Sequence, residues 1–498
     1  MFVASEVLIQ FTFALLAALT IYLFPQNFNK TKIFSLVAAI INVGLCILLV
    51  QHAWEQNALT ELLVLNSFKL ELFFGLTYTL AIDGLSAVLI LLNSVLLFLV
   101  IITTWDFESH KFRLYYFSLF FLTWAVNGAL LSFNLYSFYI FWEAMLIPLF
   151  ILIGVFGGAE RKFASYKFFL YTAAGSFIML GAIIYLSSLS YEIKGTYDLT
   201  PISIQALHLP FDGIFSAQSL VFLAFSLAML IKIPAFPFHS WLPLAHVQAP
   251  TAGSIILAGI LLKLGIYGLL RFVIPVYPEA TEFFRYFMMS LGAVGVIYGA
   301  LTALVQTDVK KVVAYSSISH MGFMLAGIFS ASKIALSGSI FQLISHGITT
   351  GGLFIVVHYL YIRRHTKEIS AFGGIAKKMP VFSVAFFIIL MGSMAVPLTS
   401  GFVGEFLIIW GLYKVAPWIA VLCALGVILT PVYLLNLYQK MMLGPLVNVE
   451  NEKLEDLSRI ELLPFIILGF LILLIGVYPH ALTFIYEGFL NNMSFFFI

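Results

Sequence analysis

Apolar residues run along this chain in stretches of roughly twenty, divided by short polar or charged segments, without the strict alternation of a half-buried strand. Spans are predicted at residues 4–24, 32–52, 79–104, 113–132, 134–155, 165–188, 217–247, 252–273, 284–305, 309–330, 335–361, 380–411, 415–438 and 461–486. A hydrocarbon layer about 30 Å thick needs about that many apolar residues per helix, so the expected fold class is all-α and polytopic, with about fourteen transmembrane helices. A barrel is excluded, because its strands alternate polar and apolar positions. Two of the spans are too long for single helices. The seventh contains Pro234, Pro237 and Pro243, and the twelfth contains Pro397 followed by Thr399, Ser400 and Gly401. Each is predicted to break there, facing protein or water rather than lipid.

The two breaks lie about 160 residues apart, each in the fourth of five successive spans. An odd number of spans per unit turns the second unit over, which gives two inverted five-helix repeats, spans 4–8 and 9–13. The expected organisation is an N-terminal three-helix segment over 1–110, the first repeat over 111–275, the second over 276–440, and a C-terminal loop with the last span over 441–498.

Composition agrees: 62% of the 498 residues are hydrophobic and 10% are charged, too few for a water-facing surface. A net charge of +2 argues against a nucleic-acid footprint. Cys46 and Cys423 sit inside apolar runs without a spaced partner, which excludes a cysteine-held iron–sulfur cluster or thiolate zinc site and leaves inert thiols. The first apolar stretch opens with Glu6 and no basic segment, and reads as a first span rather than a removable signal. Basic residues concentrate in the odd-numbered loops, at Lys30, Lys111, Arg161, Lys310, Lys311, Arg363, Lys377 and Lys440 among others, whereas Arg271, Arg285 and Lys333 belong to the sparser even-numbered set. The odd loops then face the cytoplasm and both termini face outward.

Four charges fall inside the spans. Glu143 lies in Phe141-Trp-Glu-Ala-Met, Lys232 just before the seventh-span break, Lys263 in Ile260-Leu-Leu-Lys-Leu-Gly265, and Glu405 beyond the twelfth-span break. Facing lipid, each lysine would cost about 2.5–3.5 kcal/mol on insertion scales, so these groups are expected to point into the bundle. Static ion pairing that fastens helices is the plainer reading. Their number and position favour proton movement, since the charge of a buried lysine depends on the state of a neighbouring carboxylate. His320 lies on a stripe with Ser316, Ser317 and Ser319, and His346 on one with Ser339, Gln342, Ser345 and Thr349. Such stripes suit hydrated paths, although hydroxyls bonding between helices would look the same. His239 and His246 flank Trp241 beside the first break and read as loop architecture rather than metal or haem ligands. Thr307-Asp308 reads as an N-cap opening the tenth span.

Six segments carry a recognisable pattern: Phe141-Trp-Glu-Ala-Met-Leu-Ile-Pro148, Pro234-Ala-Phe-Pro-Phe-His-Ser-Trp-Leu-Pro243, Ala245-His-Val-Gln-Ala-Pro-Thr-Ala-Gly253, Gln306-Thr-Asp-Val-Lys-Lys311, Tyr315-Ser-Ser-Ile-Ser-His-Met-Gly322 and Ser400-Gly-Phe-Val-Gly-Glu-Phe406. From about residue 80 to about residue 445 the chain resembles the M-type antiporter-like subunits of NADH:quinone oxidoreductase, respiratory complex I. The resemblance implies a subunit of a proton-translocating enzyme in a bacterial inner membrane, beside L-type and N-type neighbours. No cofactor is expected in this chain, with FMN and iron–sulfur clusters in other subunits. It also implies a Glu143–Lys232 pair, Lys263 as central relay, His320 and His346 along the path, and Glu405 as terminal carrier, where L-type, N-type and antiporter relatives generally carry lysine. Leu244 departs from the pattern, standing where many bacterial relatives have an acid, and Ala395-Val-Pro397 replaces a more glycine-rich break. A cation/proton antiporter subunit, a subunit of a hydrogenase-type or formate-linked complex, and a haem-binding redox membrane protein are the alternatives.

Overall fold

In the computed structural model, residues 2–23, 27–55, 63–71, 77–446 and 448–493 are described. The chain begins with helices α1 (Phe2–Leu23) and α2 (Phe28–Glu55), followed by an antiparallel hairpin of β1 (Leu63–Glu71) and β2 (Thr77–Ile82). The third expected span therefore starts late. Thr79 to Ile82 pair as strand, and α3 (Gly84–Thr103) begins only after Asp83, whose carboxylate accepts from the Ser86 amide at 2.9 Å in a capping box. Next come α4 (Phe112–Leu131), α5 (Leu135–Ala144), α6 (Leu146–Phe156), α7 (Arg161–Lys194) and the short α8 (Pro201–Gln205).

The seventh span is broken as expected, into α9 (Ala217–Lys232) and α10 (Trp241–Gln248). The eighth is α11 (Thr251–Ile256), a π segment over Leu257–Leu261, α12 (Leu262–Gly268) and a second π segment over Leu269–Val273. After α13 (Pro278–Leu304), α14 (Val309–Ile328) and α15 (Lys333–Arg364), the twelfth span is also broken, into α16 (Pro380–Ser393) and α17 (Ser400–Val415). The chain continues through α18 (Pro417–Met442), the short α19 (Val449–Glu452), α20 (Arg459–Val477) and α21 (His480–Met493). The fourteenth span is thus shorter than expected. Helix α20 stops before Pro479, and α21 is a separate amphipathic helix that buries Leu482, Ile485, Tyr486, Phe489 and Leu490.

Among the described residues, eleven helices are long and apolar enough to cross a membrane. The expected spans missing from that set are the seventh and twelfth, cut short by their breaks, and the tenth, α14, which carries Lys310, Lys311 and the serine–histidine stripe. Two helical stretches, Thr251–Val273 and Lys333–Arg364, are buried along the whole of their most apolar window. They form the centre of the molecule.

The two breaks share one hydrogen-bond pattern. In the first, the amides of Ile233, Ala235 and Phe238 bond to the carbonyls of Met229, Leu230 and Ala235; in the second, those of Met394, Val396 and Thr399 bond to Leu390, Met391 and Val396. Every member of the second set is displaced by the same 161 residues from its counterpart (230 to 391, 233 to 394, 235 to 396). Positive φ angles at Pro234 and Ala395 fall in the same register. In each case one helical bond gives way to an i→i−5 bond, and the chain turns out of the helix.

Loop contacts sort by parity. The odd-numbered loops meet one another: the Gly158 amide bonds Gln248 O, the Val309 amide bonds Lys367 O, and Arg363 pairs with Glu461 at 2.8 Å. The even-numbered set meets itself, through Arg271 with Asp83 at 2.6 Å, Gln218 with Glu279 at 2.8 Å and Lys333 with Asn491 at 2.7 Å.

Candidate functional site: a buried line of titratable side chains

Lys263 stands in α12 directly after the π segment, with no solvent exposure. Its ammonium donates to the Ala258 carbonyl within the π segment. The same Nζ lies 2.8 Å from His346 Nδ1. A glycine makes that contact possible, because a Cβ on Gly347 would come 2.8 Å from the Gly259 carbonyl. Its absence lets α15 press against the π segment and sets His346 on Lys263.

The His346 ring faces that of His320, with centroids 5.4 Å apart. His320 Nδ1 is 2.9 Å from Glu405 Oε1, and Gln342 Nε2 donates to the same oxygen at 3.1 Å. Gly404 permits this approach, since a Cβ there would be 2.4 Å from Gln342 Oε1. His346 Nε2, His320 Nε2 and Glu405 Oε2 are buried without a hydrogen-bond partner. The result is a line from Lys263 through His346 and His320 to Glu405, each member at most 2% exposed. Titratable side chains at hydrogen-bond or near-contact distance can pass a proton along such a line.

The other two intramembrane charges lie apart from it. Lys232, at the last position of α9, is 1% exposed and its Nζ has no hydrogen-bond partner. Its ammonium sits 4.7 Å from the centroid of the Trp142 ring, which is itself fixed by a 3.1 Å hydrogen bond to Ser176. Glu143 follows Trp142 and is the acid within electrostatic range of Lys232, but the two form no ion pair within 4.0 Å. Glu143 is half-buried, with Oε1 unpartnered.

Several sequence expectations change here. The Glu143–Lys232 pair implied by the resemblance makes no direct ion pair and lies apart from Lys263 and Glu405, and His320 is the partner of Glu405. Most stripe hydroxyls bond backbone: Ser316 and Ser317 to Val313 O, Ser339 to Ala335 O, Ser319 to Val296 O. Gln342, which reaches Glu405, and Ser345, which bonds Ser400 at 2.8 Å, link elements of the path. Asp308 caps α14 as expected, accepting from the Lys311 amide at 3.1 Å. Two residues counted as loop charges are buried: Arg271, 8% exposed and paired with Asp83, and Lys310, 5% exposed. His246, read as loop architecture, is wholly buried in α10 against Phe354, and neither ring nitrogen has a partner. The short spacing between the α10 C-terminus and Pro250 was the available signal, because orphan helix carbonyls there require donors from elsewhere.

The NADH:quinone oxidoreductase/Mrp antiporter transmembrane family matches residues 132–430. NADH-quinone oxidoreductase subunit M of Rickettsia prowazekii is 43% identical over 420 residues, covering 84% of this chain and 84% of the relative. A chain of respiratory complex I from Thermus thermophilus, solved with bound NADH, superposes with a TM-score of 0.86 at 27% identity, covering 99% of this chain and 100% of that one. A chain of an Mrp complex from Dietzia has a TM-score of 0.83 at 20% identity over 100% of this chain and 99% of its own, a likeness of fold alone. With so much of its length matched in sequence as well as in fold, the chain belongs to the NADH:quinone oxidoreductase/Mrp antiporter transmembrane family.

Proposed function

We propose that this protein is the M-type proton-translocating subunit of an NADH:quinone oxidoreductase, moving protons through its interior while electron transfer takes place in other subunits. The observation that carries the reading is the buried line Lys263–His346–His320–Glu405, with its 2.8 Å and 2.9 Å end contacts and the two imidazole rings 5.4 Å apart between them. In this scheme Glu143 and Lys232 form the input pair, Lys263 is the relay, the two histidines bridge, and Glu405 releases the proton outward.

The pair is well suited to respond to events elsewhere. Lys232 has no hydrogen bond to hold it, and Glu143 reaches a half-buried edge, so a change of charge near Glu143 alters how firmly Lys232 keeps its proton. A gate is also needed, because each charge moved against 100 mV costs about 2.3 kcal/mol. The matched breaks at Pro234 and Ala395 are the elements assigned to gating, as hinges of two inverted five-helix units within a fourteen-span fold. The lysine-rich odd loops are taken to face the cytoplasm of a bacterial cell and both termini the outside. The partners are the neighbouring membrane subunits of the complex, L-type and N-type, and the redox groups belong to other chains.

An antiporter subunit shares the fold, but the curated relatives identified by sequence carry the oxidoreductase name. The test is Glu405→Gln in the intact complex, reconstituted in sealed liposomes. Quinone reduction should continue with fewer protons moved per electron. A native proton-to-electron ratio in an assembled Glu405→Gln complex would refute the assignment.

A further inference from the structure

Helices α16 and α20 both start at the face that carries the odd-numbered loops and run inward side by side. Between them they leave a recess of about 520 Å³ whose lining holds no polar or charged side chain. Ala385 and Gly469 are buried in it, whereas Val384, Ile466 and Phe470 stand exposed along it. Gly469 keeps it open: a Cβ there would already touch Ile388 at 3.4 Å, so a larger side chain would occupy the space. Farther in, the helices close on each other, since a Cβ on Gly392 would come 2.9 Å from Ile472 Cγ2.

The depth of the recess decides what fits. On α20 it runs from Leu462 to Leu473, about 16 Å at the helical rise per residue. One leaflet of a hydrocarbon core about 30 Å thick is about 15 Å deep. A partner's transmembrane helix would need a face of twice that length, and the Gly392 contact ends this one; an acyl chain needs only its own leaflet.

The mouth is basic. Lys377 and Lys378 lie just ahead of α16 and Arg459 opens α20; all three are exposed, and among the described residues none has a carboxylate within 4.0 Å. Nearby acids are engaged elsewhere. The Asp456 oxygens accept from the Val381 and Phe382 amides at 2.8 and 2.9 Å, and Glu461 pairs with Arg363, which leaves the exposed Glu455. Basic side chains at the edge of the hydrocarbon attract anionic headgroups.

We propose that the recess binds one acyl chain of an anionic phospholipid from the leaflet on the odd-loop face, with its phosphate among Lys377, Lys378 and Arg459. Bound there, the chain fills the gap between α20 and the half-helix that leads to the twelfth-span break.

The test uses the intact complex in phosphatidylcholine vesicles carrying either phosphatidylglycerol or phosphatidylcholine with a diazirine on the acyl chain. After photolysis, mass spectrometry maps the labelled residues. Phosphatidylglycerol should label α16 and α20 along the recess, and unlabelled phosphatidylglycerol should compete where phosphatidylcholine does not. Gly469→Phe should remove that label, and Gly469→Ala should keep it. Replacing Lys377, Lys378 and Arg459 together by glutamine should lower the preference for the anionic lipid by roughly tenfold or more. Equal labelling of the native recess by the two lipids would reduce it to ordinary boundary contact and overturn the proposal. Absence of label from either lipid would mean that a partner subunit covers the recess, which overturns it as well. If Gly469→Phe does not assemble, the triple glutamine variant decides, and an undiminished preference there overturns the headgroup site.

Discussion

Lys232 and Lys263 are equally buried lysines in neighbouring helical segments, yet their surroundings differ in kind. Lys232 has an aromatic face 4.7 Å away and no hydrogen-bond partner, whereas Lys263 is bonded to a backbone carbonyl and to His346, and through it joins the line to Glu405. A buried cation held only by a ring quadrupole and a distant acid is poised to change its protonation state. One fixed by two hydrogen bonds is set to hand a proton along a defined path. On the proposed function, the contrast separates a sensing site from a conducting one within a single chain.

Replacing each lysine by methionine, close in volume and without charge, should widen this contrast. Lys232→Met is expected to have the larger functional effect, abolishing the chain's pumping, with thermal stability of the complex unchanged or raised because an unpartnered buried ion is removed. Pumping assays with thermal unfolding of the same preparation check this, and a marked fall in Tm would mean that Lys232 is a structural residue. Lys263→Met should instead destabilise the chain by about 1–3 kcal/mol, since His346 and the Ala258 carbonyl lose their buried partner. Equal Tm values for the two variants would erase the distinction between the sites.

Most of the helical framework was legible in the sequence, because bilayer thickness and backbone satisfaction leave an apolar run of twenty residues little choice. The breaks were legible for the same reason, through Pro234, Pro237 and Pro397. The hairpin was not, although Thr77-Tyr-Thr-Leu-Ala-Ile82 has the β-branched and aromatic content of a strand and Asp83-Gly-Leu-Ser86 spells a capping box. It was hidden by joining those residues to the apolar run after them. The separate α21 was hidden similarly, by reading through Pro479.

At the site, the identity of the charged residues could be read but not their pairing. Which groups meet is set by close approaches at Gly347 and Gly404 and by a π segment before Lys263, tertiary features that no local pattern encodes. Arg271 and Lys310 passed as loop charges because both lie at helix ends. The fold then draws Arg271 onto Asp83 and Lys310 onto the α10 terminus.

Proton passage along the buried line has to cross between its two halves at His346. The most direct measurement is the proton-to-electron ratio of the intact complex carrying His346→Leu, which leaves Lys263, His320 and Glu405 in place but removes the ring between them. A lowered ratio with quinone reduction continuing is the expected result. A native ratio in that assembled complex would contradict it.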